Sequence, residues 1–104
     1  MTTVGARSGR SRTVPLTYEA DGDQYVVFAA ANGAPKHPAW FHNVVAEPEV
    51  TVEIGSESFG AKAVVVTGEQ RHELLGRLAT LRPVVARMQA KTTREIPAVV
   101  LSRR

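Results

Sequence analysis

The sequence of 104 residues lacks cysteine and has no apolar run that approaches the length of a membrane span. Without cysteine, disulfides, thiolate nucleophiles and cysteine-based metal sites are all excluded. A transmembrane helix needs about 20 mostly apolar residues, and the N-terminus lacks the apolar core of a signal peptide. These absences predict a cytoplasmic protein. The length predicts one domain, residues 1–104, because a chain of this length builds a single hydrophobic core.

Acidic residues are missing from both ends of the chain. The net charge is +3, yet five of the thirteen basic residues lie in these acid-free ends: Arg7, Arg10, Arg12, Arg103 and Arg104. Without them the rest of the chain holds eight basic and ten acidic residues, a balance of −2. The few aromatic residues fall at core-like positions, so a base-stacking platform is hard to build. No nucleic-acid partner is therefore expected. A small barrel that binds nucleic acid through the basic N-terminal arm is accordingly the least favoured function for this chain.

Catalytic motifs are also missing. The sequence shows no paired-carboxylate spacing, no Ser-His-Asp arrangement, no P-loop and no Rossmann fingerprint. His37 and His42 are five residues apart and share a helix face poorly, so no metal site is expected. An enzyme with so few candidate groups would leave the chemistry to a bound cofactor.

Two stretches suit an anionic ligand. Residues 4–12 read VGARSGRSR, which offers backbone N–H groups, hydroxyls and guanidinium groups to a phosphate. The alternative for this stretch is a disordered basic leader. Residues 33–43 read GAPKHPAWFHN, in which Pro38 suits the first turn of a helix and Trp40 is expected to anchor the core. Cations at a helix start oppose the helix dipole, so Lys36 and His37 predict an anionic group nearby.

Hydrophobic periodicity predicts the element order β-β-α-β-β-α-α-β. The predicted strands cover residues 13–20, 24–31, 50–54, 57–67 and 96–101, with a hairpin turn at residues 21–23. Gly60 within the fourth strand indicates a bulge or a bend. Three alanines at residues 29–31 would leave room for a flat group near the backbone, or would simply allow close packing.

The predicted helices begin near Pro38, at Thr67 or Gly68, and at Pro83. The second of them carries an apolar stripe made of Leu74, Leu75, Leu78 and Leu81. Five or six strands in mostly antiparallel hairpins, with two to three covering helices, predict an α+β fold in the form of a small barrel.

Several blocks resemble the deazaflavin-dependent nitroreductase and quinone reductase family. They are GARSGR at residues 5–10, RTVPL at 12–16, GAPKHPAWFHN at 33–43, VTVEIG at 50–55 and REIP at 94–97. The resemblance implies an FMN-binding split-barrel-like fold that binds coenzyme F420, an 8-hydroxy-5-deazaflavin, with FMN as the second choice. It implies an oxidoreductase that transfers hydride from reduced F420 to a quinone, nitroaromatic or similar small-molecule acceptor, and a homodimer is compatible with it.

The resemblance also implies a set of cofactor-binding residues, but no catalytic residue. The phosphate and the tail would meet Arg7, Ser8, Gly9, Arg12 and Thr13 within a loop of residues 1–12. The deazaflavin would lie along the end of the second strand, and further residues would complete the pocket. Besides the five above, the implied residues are Pro15, Phe28, Ala29, Ala30, Ala31, Gly33, Lys36, Pro38, Trp40 and Asn43.

The chain departs from the family pattern at four positions. Relatives commonly carry a lysine in place of Ala31 and a hydroxyl residue in place of Ala30. Nitroimidazole-activating members carry tyrosines in place of Arg82 and Met88, so activation of nitroimidazoles is not expected here. The alternative function is therefore a split-barrel carrier that binds F420 or FMN without catalysis.

Members of the family usually begin with an amphipathic helix that covers the site and can touch a membrane. This sequence starts at Met1, just before the predicted phosphate loop, so the lid helix is expected to be absent. Membrane contact is accordingly expected only of a longer form that carries such a helix.

Overall fold

The structure, a computed structural model, describes residues 1–78, 80 and 82–104, except for the side chain of Asn32. Within this part of the chain, seven strands and three α-helices follow one another. The strands are β1 Thr2–Val4, β2 Ser11–Thr13, β3 Glu19–Asp21, β4 Gln24–Phe28, β5 Glu49–Ile54, β6 Glu57–Val66 and β7 Ala98–Arg103. The helices are α1 Ala39–Ala46, α2 Gly68–Arg77 and α3 Arg82–Gln89, and a 3-10 turn spans Ala31–Gly33.

All seven strands join one antiparallel sheet in the order β2-β1-β5-β6-β7-β4-β3. Strand β7 lies inside this order, between β6 and β4, where Val99 pairs with Val27 on one side and Val65 on the other. Both β4 and β7 are apolar on two faces, which is typical of strands that are covered on both sides. The mainly antiparallel α+β architecture is confirmed, with more strands than the five or six predicted.

The inner face of the sheet encloses the main core. Val27, Val99 and Leu101 of the central strands share one buried cluster with Val50 and Val52 of β5. Strands β4 and β5 are separated by two strands in the sheet order, and yet their side chains line one small cavity together. The sheet must therefore curl around this core, which is the geometry of a small barrel.

Helices α1 and α2 pack on different parts of the sheet. Helix α1 places Trp40, Phe41 and Val44 inside the main cluster. Helix α2 covers the outer face, where Leu74 and the residue that follows the helix, Leu78, pack with the second cluster. The predicted leucine stripe is thus confirmed at these two positions, while Leu81 lies outside the described residues.

Three predicted strands have other boundaries in the structure. Of the predicted strand of residues 13–20, only Thr13, in β2, and residues 19–20, in β3, belong to strands, because Pro15 has no N–H to donate to a ladder. Strand β4 ends at Phe28 instead of residue 31, since Ala31 adopts a positive φ of 47° that an extended strand does not allow. The last strand begins two residues later than predicted, at Ala98.

The N-terminal segment is also more regular than predicted. Residues 1–12 form strand β1, a loop of residues 5–10 and the start of β2, rather than one loop. Of the predicted bulge or bend at Gly60, the bulge is wrong, because the β5–β6 register runs without interruption through the Thr51–Gly60 pair. A Cβ at Gly60 would lie 2.7 Å from Nη2 of Arg104, the far end of an exposed side chain that can shift.

None of the helices in the described ranges is long and apolar enough to cross a membrane. The same residues contain no group of three or more His, Asp or Glu side chains that could hold a metal ion.

Candidate functional site

A cleft of about 880 Å³ lies between the loop of residues 5–10, here called the basic loop, and helix α1. This volume falls within the range of about 300–1,000 Å³ that is typical of sites for small molecules and cofactors. The residues that line the cleft are Gly5, Ala6, Arg7, Ser8, Arg12, Thr13, Val14, Ala39, Trp40, His42 and Asn43. Six of them belong to the predicted cofactor-binding set, and the two predicted anion-binding stretches meet here.

The basic loop is closed by its own hydrogen bonds. The Gly5 N–H donates to the Arg10 carbonyl at 2.7 Å, and the Gly9 N–H donates to the Gly5 carbonyl at 2.9 Å. The Arg10 N–H donates to Ser8 Oγ at 3.2 Å, and Gly9 takes a φ of +70° that suits glycine. Among the described residues, the N–H groups of Arg7 and Ser8 have no acceptor, so both remain for a ligand.

The charge of the cleft is entirely positive or neutral. Arg7 and Arg12 are exposed, and neither forms an ion pair with any described residue. None of the described lining residues is acidic, and His42 adds a third group that can carry positive charge. Guanidinium groups that lack a carboxylate partner match phosphate and carboxylate ligands, which they bind through paired N–H bonds.

Trp40 serves both the core and the cleft. Its side chain is only 7% exposed and belongs to the main hydrophobic cluster, so the predicted core anchor is confirmed. The same residue lines the cleft together with Val14 and Ala39. The cleft therefore joins a positive, donor-rich side to an apolar wall.

Asn43 connects α1 with the N-terminal segment. Its Oδ1 accepts the Ala6 N–H at 2.9 Å, and its Nδ2 donates to Thr3 Oγ1 at 3.2 Å. Thr3 is completely buried. The predicted site residue Asn43 thus lies in the cleft, but its amide binds the protein itself.

The other nine residues of the predicted set do not line the cleft. Phe28 packs beside the outer cluster under α2, and Ala29 is buried in the main core. None of the implied residues between Phe28 and Lys36 lines the cleft, and neither Gly9 nor Pro38, the N-cap of α1, does so. Pro15 lines a separate small cavity. The structure therefore does not bring residues 28–36 to the basic loop, and their contact with a cofactor stays a prediction.

Arg94 organises the segment of residues 29–37, a role that the sequence did not reveal. Its guanidinium donates to the carbonyls of Ala29 at 3.1 Å, Ala30 at 2.8 Å and Ala34 at 2.9 Å. A further bond of 3.0 Å joins Arg94 Nη1 to His37 Nδ1. All of these acceptors are uncharged, so the cation is held by backbone dipoles and one imidazole. In the sequence, Arg94 was visible only as part of a polar loop and of a family block.

The partner of His37 is a cation rather than the predicted anion. Arginine can only donate, so Nδ1 of His37 must be the unprotonated acceptor. The ring also stacks on Phe41, with centroids 4.6 Å apart. Burial, then the charge of Arg94 and that of His42, lower the pKa of His37 below the ordinary value of 6.5. His37 therefore stays neutral at neutral pH, and its contact with Arg94 is intact there.

These site features coincide with a family match over the whole domain. A family model described as F420H(2)-dependent quinone reductase matches residues 1–103. The chain belongs to this family. The resemblance carried by the blocks at residues 5–16 and 33–43 is thereby confirmed.

A curated member of the quinone reductase family is similar along nearly the full chain. The F420H(2)-dependent quinone reductase Rv1261c of Mycobacterium tuberculosis (strain ATCC 25618 / H37Rv) is 38% identical over 110 residues, which cover 98% of this chain and 70% of Rv1261c. Homologues in this family are oxidoreductases, as predicted.

Solved structures support the same assignment. A structure of an F420-H2-dependent reductase (FDR-A) is 36% identical with a TM-score of 0.84, and the match covers 97% of this chain and 90% of that one. A structure described as a domain-swapped dimer gives the same identity and TM-score, with 97% and 76% covered. The split-barrel-type fold predicted for this family member is confirmed.

The Arg94–His37 contact predicts a pH dependence of stability. Because the pKa of His37 is lower in the folded than in the unfolded chain, the unfolded chain binds more protons below pH 6.5. The contribution of His37 to the free energy of unfolding is complete above pH 6.5 and is lost as the pH falls toward the folded pKa. The substitution His37→Asn supplies a non-titrating acceptor to Arg94. We expect this variant to lose less stability than the wild type between pH 7 and pH 5 in urea unfolding.

The matched control for this prediction is His72→Asn, since His72 is exposed on α2 and has no described hydrogen bond. This control should keep the wild-type pH dependence. Equal pH profiles for His37→Asn and the wild type would contradict the prediction.

Proposed function

We propose that this chain binds reduced coenzyme F420 in the cleft beside the basic loop and uses it to reduce a quinone. The observation that carries the proposal is the cleft of a family member, where no described lining residue is acidic and where two arginines and two N–H groups have no partner among the described residues. F420 carries a phosphate and an oligoglutamate tail, which are anions of the kind these groups bind. The donor set of the cleft therefore fits the cofactor.

Each part of the cleft has a distinct role in holding the cofactor. Arg7 and Arg12 would bind the phosphate and the carboxylates of the tail through their guanidinium groups. The N–H groups of Arg7 and Ser8 would add neutral donors at fixed positions. Val14, Ala39 and Trp40 would give the flat ring an apolar surface and exclude water from one side.

Bound F420H2 supplies a hydride, and transfer of this hydride with one proton to a quinone gives a hydroquinone and oxidised F420. The protein residues bind and orient the reactants for this transfer. A nitroaromatic compound is the second candidate, after a quinone, for the substrate that accepts the hydride. Neither Arg82 nor Met88 lines the cleft, and Arg82 instead donates to the Leu75 and Gly76 carbonyls of α2.

A homodimer is part of the proposal, and its support is the similar structure described as a domain-swapped dimer. The cytoplasmic location stays a prediction from the absence of cysteine and of long apolar runs in the sequence.

The reductase activity is tested by anaerobic mixing of the protein with F420H2 and a short-chain quinone. We expect quinone-dependent oxidation of F420H2, seen as the return of the visible absorbance of the oxidised deazaflavin. The rate should rise in proportion to protein concentration and should be absent with NADH as the donor. Tight F420 binding without such oxidation would overturn the enzyme assignment in favour of the carrier alternative.

The two arginines of the cleft predict a large loss of cofactor affinity. In the double variant Arg7→Ala/Arg12→Ala, two charge-assisted contacts to the cofactor are removed. Together they are expected to weaken F420 binding by about 2–4 kcal/mol, because a hydrogen bond to a charged group contributes about 1.5–3 kcal/mol and solvent screening lowers this value for exposed guanidinium groups. Isothermal titration calorimetry with F420 measures this change, and thermal unfolding checks that the fold is retained.

A matched double variant controls for the change in net charge. Lys62 and Arg87 are exposed, lie outside the cleft lining and the basic loop, and make no described side-chain hydrogen bond or ion pair. Lys62→Ala/Arg87→Ala should therefore change F420 affinity by less than about 1 kcal/mol, the scale of screened surface charges. Equal losses in both double variants would show that the loss follows net charge rather than contacts in this cleft, and would contradict the prediction.

A further inference from the structure

The amide of Asn43 is engaged on both sides by protein groups. Its oxygen accepts the Ala6 N–H at 2.9 Å, and its nitrogen donates to the buried hydroxyl of Thr3 at 3.2 Å. A reversed amide would point its NH2 group at the Ala6 N–H, so the donor fixes the orientation. Asn43 thus ties the first residues of the chain to α1.

The Asn43–Ala6 bond is the one hydrogen bond between α1 and the basic loop within the described ranges. The other hydrogen bonds of the loop join Gly5, Ser8, Gly9 and Arg10 to one another. These internal bonds fix the shape of the loop, and the β1–β2 hairpin anchors its two ends. Among the described residues, the Ala6–Asn43 hydrogen bond is what ties the loop itself to α1.

The residues that follow Ala6 are those expected to meet the anion. Arg7 and Ser8 line the cleft, and their N–H groups lack a described acceptor. Holding Ala6 therefore sets where the next two N–H groups are presented. A loop fixed before binding loses less conformational entropy when the ligand arrives.

We infer that Asn43 is a positioning residue that pins the basic loop through Ala6 and is itself oriented by Thr3. The inference rests on the proposed function for the identity of the ligand, F420, but the pinning belongs to the protein without ligand. Asn43 then acts on cofactor affinity through the loop rather than by direct contact. Thr3, which does not line the cleft, shares this role.

The first test measures amide hydrogen exchange by NMR in the ligand-free protein. In the wild type, the Ala6 amide should exchange at least about tenfold more slowly than those of Arg7 and Ser8, because a hydrogen-bonded amide exchanges only on opening. Asn43→Ala should bring Ala6 to within about threefold of Arg7 and Ser8. The amides of Val27 and Leu101 in the central strands should keep their wild-type rates, which separates loop release from global unfolding.

Two further variants separate positioning from direct contact with the ligand. Asn43→Asp keeps an acceptor for the Ala6 N–H and a second oxygen for the Thr3 hydroxyl. It should therefore keep Ala6 exchange within about threefold of the wild type, while its negative charge weakens F420 binding. Thr3→Val removes the group that orients Asn43 and should both speed Ala6 exchange and weaken F420 binding by about tenfold, although Thr3 lies outside the cleft lining.

Val45→Ala is the matched control, since Val45 is 60% exposed on the same helix. It should leave both Ala6 exchange and F420 affinity unchanged. Unchanged Ala6 exchange in Asn43→Ala, or unchanged F420 affinity in Thr3→Val, would overturn the inference. Failure of the wild type to bind F420 would overturn the proposed function instead, while the exchange rates would still test the pinning.

Discussion

The packing of helix α1 into the end of the curled sheet is the constraint on which the site depends. Trp40, Phe41 and Val44 are buried in the same cluster as the central strands, so the helix cannot shift without opening the core. Burial of three such side chains contributes on the order of several kcal/mol. With the helix fixed, Asn43 meets the basic loop on one side, and His37, just before the helix, meets Arg94 on the other.

Two kinds of arginine appear around this helix, and their partners explain their roles. Arg94 is half-buried and donates to three carbonyls and one imidazole, so its hydrogen-bonding capacity is used within the fold. Arg7 and Arg12 are exposed and lack ion-pair partners among the described residues. A satisfied guanidinium stabilises a segment, whereas an unpaired one in an acid-free cleft attracts an anion. Near α1, one guanidinium is thus used within the fold, and two others are exposed in the cleft.

The sequence predicted most of the fold, and six of the fifteen predicted cofactor-binding residues line the cleft. Alternating apolar residues located the central strands, and the GAPKHPAWFHN block at residues 33–43 located α1. Short strands such as β1 were not predicted, because the three residues of Thr2–Val4 are too few to show a hydrophobic periodicity. The role of Arg94 was not predicted, because the carbonyl groups that accept its hydrogen bonds lie about 60 residues away in the chain. Local sequence patterns do not reveal contacts over such a separation.

The most direct test of the account is an NMR titration of the isotope-labelled wild type with F420, run beside FMN. The account predicts saturable F420 binding at micromolar concentrations or tighter, on the order of −8 kcal/mol, with weaker binding of FMN. The largest shifts should fall on the amides of Arg7 and Ser8 and on the indole of Trp40. Saturable F420 binding that leaves Arg7 and Ser8 unmoved, or no binding at all, would contradict the assignment of this cleft as the cofactor site.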